Sequence, residues 1–227
     1  MNKTLSFVRL DFITVKPYLT FKNLLIFIGV ALIMLIVNNS AVGAIGLLMS
    51  FAALYASYPF AIGEKSNIDV LYATLSIKRN TVVLGRYLFA LTFDIFTGLF
   101  TFAFSFAVLT VMQKSFDVNE TLSAIPILFL IFSVIQAVQL PIYFKLGYTK
   151  AKFIAYLPFI VFPLVFITFS NVLAAYIDIF SLVWITGLLE WLSANLLITV
   201  LLVGVIWFAV MAASYKVSAT FYRKREF

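Results

Sequence analysis

YLFALTFDIFTGLFTFAFSFAVLTVM, residues 87–112, carries one charged side chain, Asp94, in a run otherwise built of aromatic, aliphatic and small residues. A helix needs about twenty such residues to cross the hydrocarbon layer, whereas a membrane β-strand alternates apolar and polar positions over about ten. Residues 87–112 are long enough and do not alternate, so they read as a helical membrane span. Immediately before them stands KRNTVVLGR, residues 78–86, with three cations. Basic side chains flanking an apolar run stay on the cytoplasmic side during insertion.

Five more stretches of this kind lie on either side: Phe21 to Val37, Ala41 to Ile62, Leu122 to Phe144, Phe153 to Leu173 and Ala194 to Tyr215. Only Asn38, Asn39 and Ser40 separate the first two, which must form a tight hairpin. The expected fold is an all-α integral membrane protein of six transmembrane helices, one domain over residues 1–227. Composition agrees: the chain is 64% hydrophobic and 11% charged, against about 25% charged in an average soluble domain. Its mean hydropathy is +1.11. A formal charge of +7 would suit nucleic acid, but the cations cluster at the ends of apolar runs rather than on a polar surface. With neither Cys nor His in the chain, disulfides, thiolate nucleophiles, Cys-based metal sites and imidazole acid–base catalysis fall away.

Placing the N-terminus in the cytoplasm orients all six spans. Lys3, Arg9, Lys16 and Lys22 fall inside, as do Lys65, Lys78, Arg79 and Arg86, then Lys145, Lys150 and Lys152, and finally Lys216, Arg223, Lys224 and Arg225; of sixteen basic residues Lys114 alone is left outside. Residues 174–193 are apolar but interrupted by Asp178, Ser181, Thr186, Gly187 and Glu190. A seventh span there would export the Arg223-Lys224-Arg225 tail against the charge rule. One or two short helices re-entering the outer leaflet, with Trp184 and Trp191 at the interface, are expected instead.

Residues 1–20 hold Arg9, Asp11 and Lys16 within an apolar pattern and lack the continuous core of a signal peptide, so this end is expected to be retained. Leu5, Val8, Phe12 and Val15 follow a 3, 4, 3 spacing, which predicts a helix lying in the cytoplasmic interface until Pro17 ends it. The plainer alternative is a positive flank that only orients the first span.

Between spans two and three, residues 63–81 offer a second amphipathic pattern. Ile68, Leu71, Tyr72 and Leu75 repeat at i, i+3, i+4 and i+7, and Ser66 followed by Asp69 resembles a helix start. Lys78 and Arg79 follow, with Asn80 or Thr81 placed to cap the next helix. A mere connector could be shorter, so an ordered helix here suggests that something docks on it.

The loop carries a family resemblance. Glu64-Lys65, then LYATLSIKRNTVVLGRY over residues 71–87, resembles the cytoplasmic loop of type-2 ABC-transporter permeases, especially small peptide-exporter permeases such as those of the phenol-soluble-modulin exporter. Leu75, Ser76, Arg79, Val82, Val83, Arg86 and Tyr87 carry the match, and Ile77 stands where that family commonly has proline. The resemblance implies that Lys65, Ser66 and Ile68 to Leu75, Asp69 among them, form a coupling helix seated in a cleft of a separate ATP-binding subunit, with Glu64, Lys78 and Arg79 beside it. It further implies a peptide or other amphipathic substrate, a second permease chain as homo- or heterodimer, and a bacterial cell membrane. No GxxxxGK[ST] phosphate loop occurs, so ATP and Mg are expected on the partner subunit and no catalytic or metal-binding residue is expected in this chain.

Asp94 lies about 12 Å along a helix from Arg86, too deep to reach water easily. Asp94, Thr97, Thr101 and Ser105 align as a polar stripe on span three, and Gln136, Gln139 and Tyr143 make a shorter one on span four. Three uses stay open: interhelical glue, favoured because no basic partner shares the layer; the lining of a transport pathway; or a proton-coupling site in an ion-driven carrier. Span two presents Gly43, Gly46, Ser50, Ala53 and Ser57 as a small-residue face for close packing, and Pro158 and Pro163 are expected to bend span five. Beside the ATP-driven permease, an ion-gradient carrier and a membrane immunity or scaffold protein remain alternatives.

Overall fold

The computed structural model describes residues 3–38, 41–74, 77–114, 116–161, 187, 190–192 and 194–225. Among them all regular structure is helical, without a strand. Helix α1 (Lys3–Val15) passes into a short 3₁₀ turn, Lys16–Tyr18, and then into α2 (Phe21–Asn38). Pro17 and the turn bend the chain by 85°, so α1 runs across the end of the bundle and does not lengthen α2. The Thr20 hydroxyl accepts the Asn23 amide, and the Asn23 side chain donates to the Tyr18 carbonyl at 3.1 Å. These two bonds satisfy backbone groups that the corner would otherwise leave open.

The second predicted span is broken. Helix α3 (Ala41–Tyr55) stops two residues before α4 (Tyr58–Lys65), whose first turn holds Pro59. Proline has no N–H to donate to a carbonyl one turn back, and the ladder tightens just before it: Ala56 still donates to Ala52, while Ser57 donates to Leu54, three residues back. On the face expected to be small, Ala53 and Ser57 are buried and Gly46 meets Leu128, whereas Gly43 is exposed. Helix α5 (Ile68–Thr74) follows, then the long α6 (Arg79–Val111), α7 (Val118–Leu146), α8 over residues 148–161, and α9 (Leu196–Lys224).

The long helices overrun the spans read from hydropathy. α6 has 33 residues, about 50 Å at 1.5 Å per residue, well beyond a hydrocarbon layer about 30 Å thick. It begins at Arg79 and not at Tyr87, and α9 runs nine residues past Tyr215, because the backbone bonds continue into the polar zone. Four helical segments are long and apolar enough to cross a membrane, Ala41–Lys65, Arg79–Val111, Val118–Leu146 and Leu196–Lys224, or five if the bent α1–α2 pair is one span. The first half of the predicted fifth span is α8; its second half, with Pro163, and nearly all of residues 174–193 lie outside the described residues.

α3 packs on α2, α6 and α7, α9 packs mainly on α7, and α1 packs on α6. Two cores result. One lies toward the α2–α3 hairpin, around Leu35, Ile45, Met49 and Leu109; the other lies at the opposite end, around Tyr72, Val83, Tyr87, Leu140, Phe144 and Tyr222. Contacts at this second end gather most of the basic clusters. Lys114 stands at the hairpin end, donating to the Ile36 carbonyl. Elsewhere the bundle presents large apolar side chains outward, among them Leu201, Val205 and Phe208 of α9, as a lipid-facing surface requires.

Candidate functional site: the basic end and the intramembrane polar layer

At the basic end the elements are joined by polar contacts that would be costly to leave unmade. Asp11 Oδ1 accepts Arg86 Nη1 at 2.7 Å, an ion pair in which both side chains are almost wholly buried. Burial lifts the Asp11 carboxyl above its ordinary range, and the Arg86 charge and hydrogen bond pull against that rise. The guanidinium also lies 5.0 Å from the centre of the Phe60 ring, so α1, α4 and α6 meet around one cation. Gly85 lets α1 come this close, for a β-carbon there would stand 2.8 Å from Phe7 Cβ.

This docking turns α1 differently from its apolar spacing. Phe7, Asp11 and Val15 are the buried face, so of the apolar stripe Val15 is buried, Val8 and Phe12 are half-buried, and Leu5 is 59% exposed. A buried carboxylate needs its counter-charge, and Arg86 holds Asp11 inward. Sequence reading used Asp11 only as a mark against a signal peptide; an acid set between Leu10 and Phe12 was the available signal.

The predicted coupling residues are placed as follows. Glu64 and Lys65 end α4, and Ser66 is its C-cap rather than the N-cap of α5. Asn67, in a left-handed conformation at φ 49°, turns the chain. In α5, Ile68 packs against the core and Tyr72 is buried, its ring 5.0 Å from Phe7 in an edge contact, while Leu71 is 53% exposed. The apolar stripe is therefore divided between the protein's interior and its surface. The Asp69 side chain and all of Leu75 and Ser76 lie outside the described residues. Lys78 caps α6 through an extended backbone, the place expected for Asn80 or Thr81, and its side chain is exposed.

Arg79 points inward. Its Nη1 donates to the carbonyls of Tyr222, Arg223 and Arg225, filling acceptors that the end of α9 leaves open and meeting its negative dipole end. Glu64 accepts the Thr149 amide at 3.0 Å, tying α4 to the start of α8. Between them Gly147 adopts φ +77°, and a β-carbon there would stand 2.9 Å from the Glu64 carboxylate. Two turns into α6, the Tyr87 hydroxyl meets Ser214 and Ser218 of α9 at 2.6 and 2.7 Å.

Deeper in the bundle the two polar stripes meet. Gln136 Nε2 donates to Asp94 Oδ1 at 2.9 Å, with the residues 0% and 2% exposed. Thr101 and Ser105 are also buried, and Thr97 is partly so. The Thr97 and Thr101 hydroxyls donate back to the Phe93 and Thr97 carbonyls. Gln139 bonds the Ala155 carbonyl at 2.7 Å, fastening α7 to α8, and Tyr143 is buried one turn further along α7. Among the described residues no group of acidic side chains is arranged to hold a metal.

In comparison with known proteins, a family model described as ABC-2 family transporter protein fits residues 6–223. No curated protein and no solved structure matches the chain.

Proposed function

The chain belongs to the ABC-2 transporter family, as a multi-pass membrane subunit of the kind that works with an ATP-binding subunit, and from that premise we propose that it is the permease half of an ATP-driven exporter. The observation that carries the reading is the family match across nearly the whole chain. The basic end gives it a mechanism. There Lys65, Leu71 and Lys78 are exposed around a short helix whose other side, through Ile68 and Tyr72, is set into the core. A motor subunit docking on that surface would push directly on the packing between α1, α5 and α6. Two such chains with two ATP-binding subunits make a complete transporter, its N- and C-termini in the cytoplasm. A peptide or other amphipathic cargo follows from the sequence resemblance.

Asp94 belongs to this scheme as glue: its carboxylate is occupied by Gln136 within the α6–α7 contact, the arrangement that supports a structural use over a proton relay. The deciding experiment reconstitutes the chain with its ATP-binding subunit in proteoliposomes. Export should require ATP and survive an uncoupler; transport that collapses with the uncoupler and persists without ATP makes the protein an ion-driven carrier.

A further inference from the structure

Two cavities flank the elbow between α1 and α2. On its membrane side a groove of about 190 Å³ is walled by Phe27 of α2, Phe51, Ala52 and Tyr55 of α3, and Phe93 and Phe96 of α6. Its lining is apolar, and the wall hydroxyl of Thr97 already donates to the Phe93 carbonyl. The groove opens outward, since Leu24, Phe96 and Phe100 on its edge are 42%, 66% and 43% exposed. On the other side of the elbow lies a larger, more polar cavity of about 620 Å³, bordered by Tyr18, Tyr58, Tyr148, Glu64, Lys65 and Thr149. Between the two stands a file of rings: Tyr55 stacked on Tyr58 at 4.7 Å, and Tyr18 edge-on to Tyr58 at 5.3 Å.

We propose that the elbow is a binding site for one phospholipid, its acyl chain in the groove and its phosphate-bearing head in the tyrosine-bordered cavity. A groove lined almost wholly by apolar side chains suits a hydrocarbon chain, which has no polar group to satisfy, and suits a peptide poorly, because most of its backbone would be left unpaired. The head side offers a phosphodiester tyrosine hydroxyls and the exposed ammonium of Lys65, with the exposed Lys16 and Lys22 nearby on the elbow, and the Glu64 carboxylate on the same border is engaged by the Thr149 amide. The change from apolar to polar lining falls at the aromatic file, as tyrosines at a membrane interface do. A lipid there would brace α1 and α2 against α3 and α6. This site does not depend on the energy source proposed above.

The test uses the full chain in vesicles of phosphatidylethanolamine and phosphatidylglycerol, doped with a phospholipid carrying a diazirine half-way along one acyl chain. After irradiation, label should accumulate on the groove segments around Ile28, Phe51 and Phe93 in excess of the lipid-facing segment around Phe208. Ala52→Phe, which fills the groove, should lower groove labelling by excluding the chain, and Lys65→Glu, at the exposed head side, should lower it about tenfold, as loss of one charged hydrogen bond would. Labelling around Phe208 should stay unchanged as the internal reference. If Ala52→Phe fails to insert, Lys65→Glu carries the test alone. Equal labelling of groove and reference, or groove labelling indifferent to Lys65→Glu, overturns the proposal. Displacement of the labelled lipid by an amphipathic cationic peptide that itself crosslinks in the groove overturns it in favour of a peptide site.

Discussion

Arg86 shows how one buried charge sets the geometry of a helix that hydropathy alone would place elsewhere. Its guanidinium pairs with Asp11 in a site shielded from water, and removing one partner leaves the other charged and uncompensated. Arg86→Met should therefore destabilise the fold by about 3–5 kcal/mol, and Asp11→Leu by a similar amount, while the double replacement should recover much of the loss. Unfolding in mixed micelles of mild and denaturing detergent measures the cycle; additive losses would show that the two side chains do not act as a pair. Asp94 behaves differently because its partner is neutral. Asp94→Asn can keep a hydrogen bond to Gln136, so it should cost no more than about 1 kcal/mol by the same measurement and leave most transport intact. Complete loss of transport with normal assembly would revive the proton-coupling reading.

At the scale of the elements, α5 separates residues that the sequence placed together. Tyr72→Ala removes a buried ring and should cost about 3 kcal/mol in the same titration, and Arg79→Ala should loosen the end of α9 by opening its carbonyls. Leu71→Asp and Lys78→Glu alter exposed side chains and should leave stability within about 0.5 kcal/mol, yet abolish pull-down of the ATP-binding subunit. Normal capture of that subunit by the Leu71→Asp, Lys78→Glu double variant would refute the docking surface. The contrast also marks what sequence could tell. Apolar length made α6 and α7 legible, and four-residue periodicity made the inward turn of Asp94, Thr101 and Ser105 legible. The buried face of α1 was not, because it depends on Gly85 and Arg86, some seventy residues away. Nor was the turn of Arg79 onto α9: a cation beside a predicted docking helix looks alike whether it faces a partner or caps a distant helix.

For the whole molecule, the charge partition and the contacts at the basic end make one statement. Glu64 with Thr149, Asp11 with Arg86, and Arg79 with the carboxyl end of α9 bring the ends of distant segments to one face, and Lys114 stands at the hairpin end beside Ile36. If the basic face is cytoplasmic, every helix direction follows. The absence of native cysteine makes this directly measurable with single substitutions at exposed positions. Leu71→Cys and Lys224→Cys should react with a membrane-impermeant maleimide in inside-out vesicles and be silent in intact cells. Gln113→Cys should do the reverse, because its turn joins α6 to α7 at the opposite end. A fourth cysteine, at Leu5, separates the two readings of the bent pair. If α1 lies along the interface with Leu5 toward lipid, a lipid-soluble maleimide should label it well and the impermeant reagent weakly from the inside. If α1 and α2 together form one broken span, α2 still ends at the hairpin, so Leu5→Cys should react with the impermeant reagent from the same face as Leu71→Cys and as readily, rather than weakly.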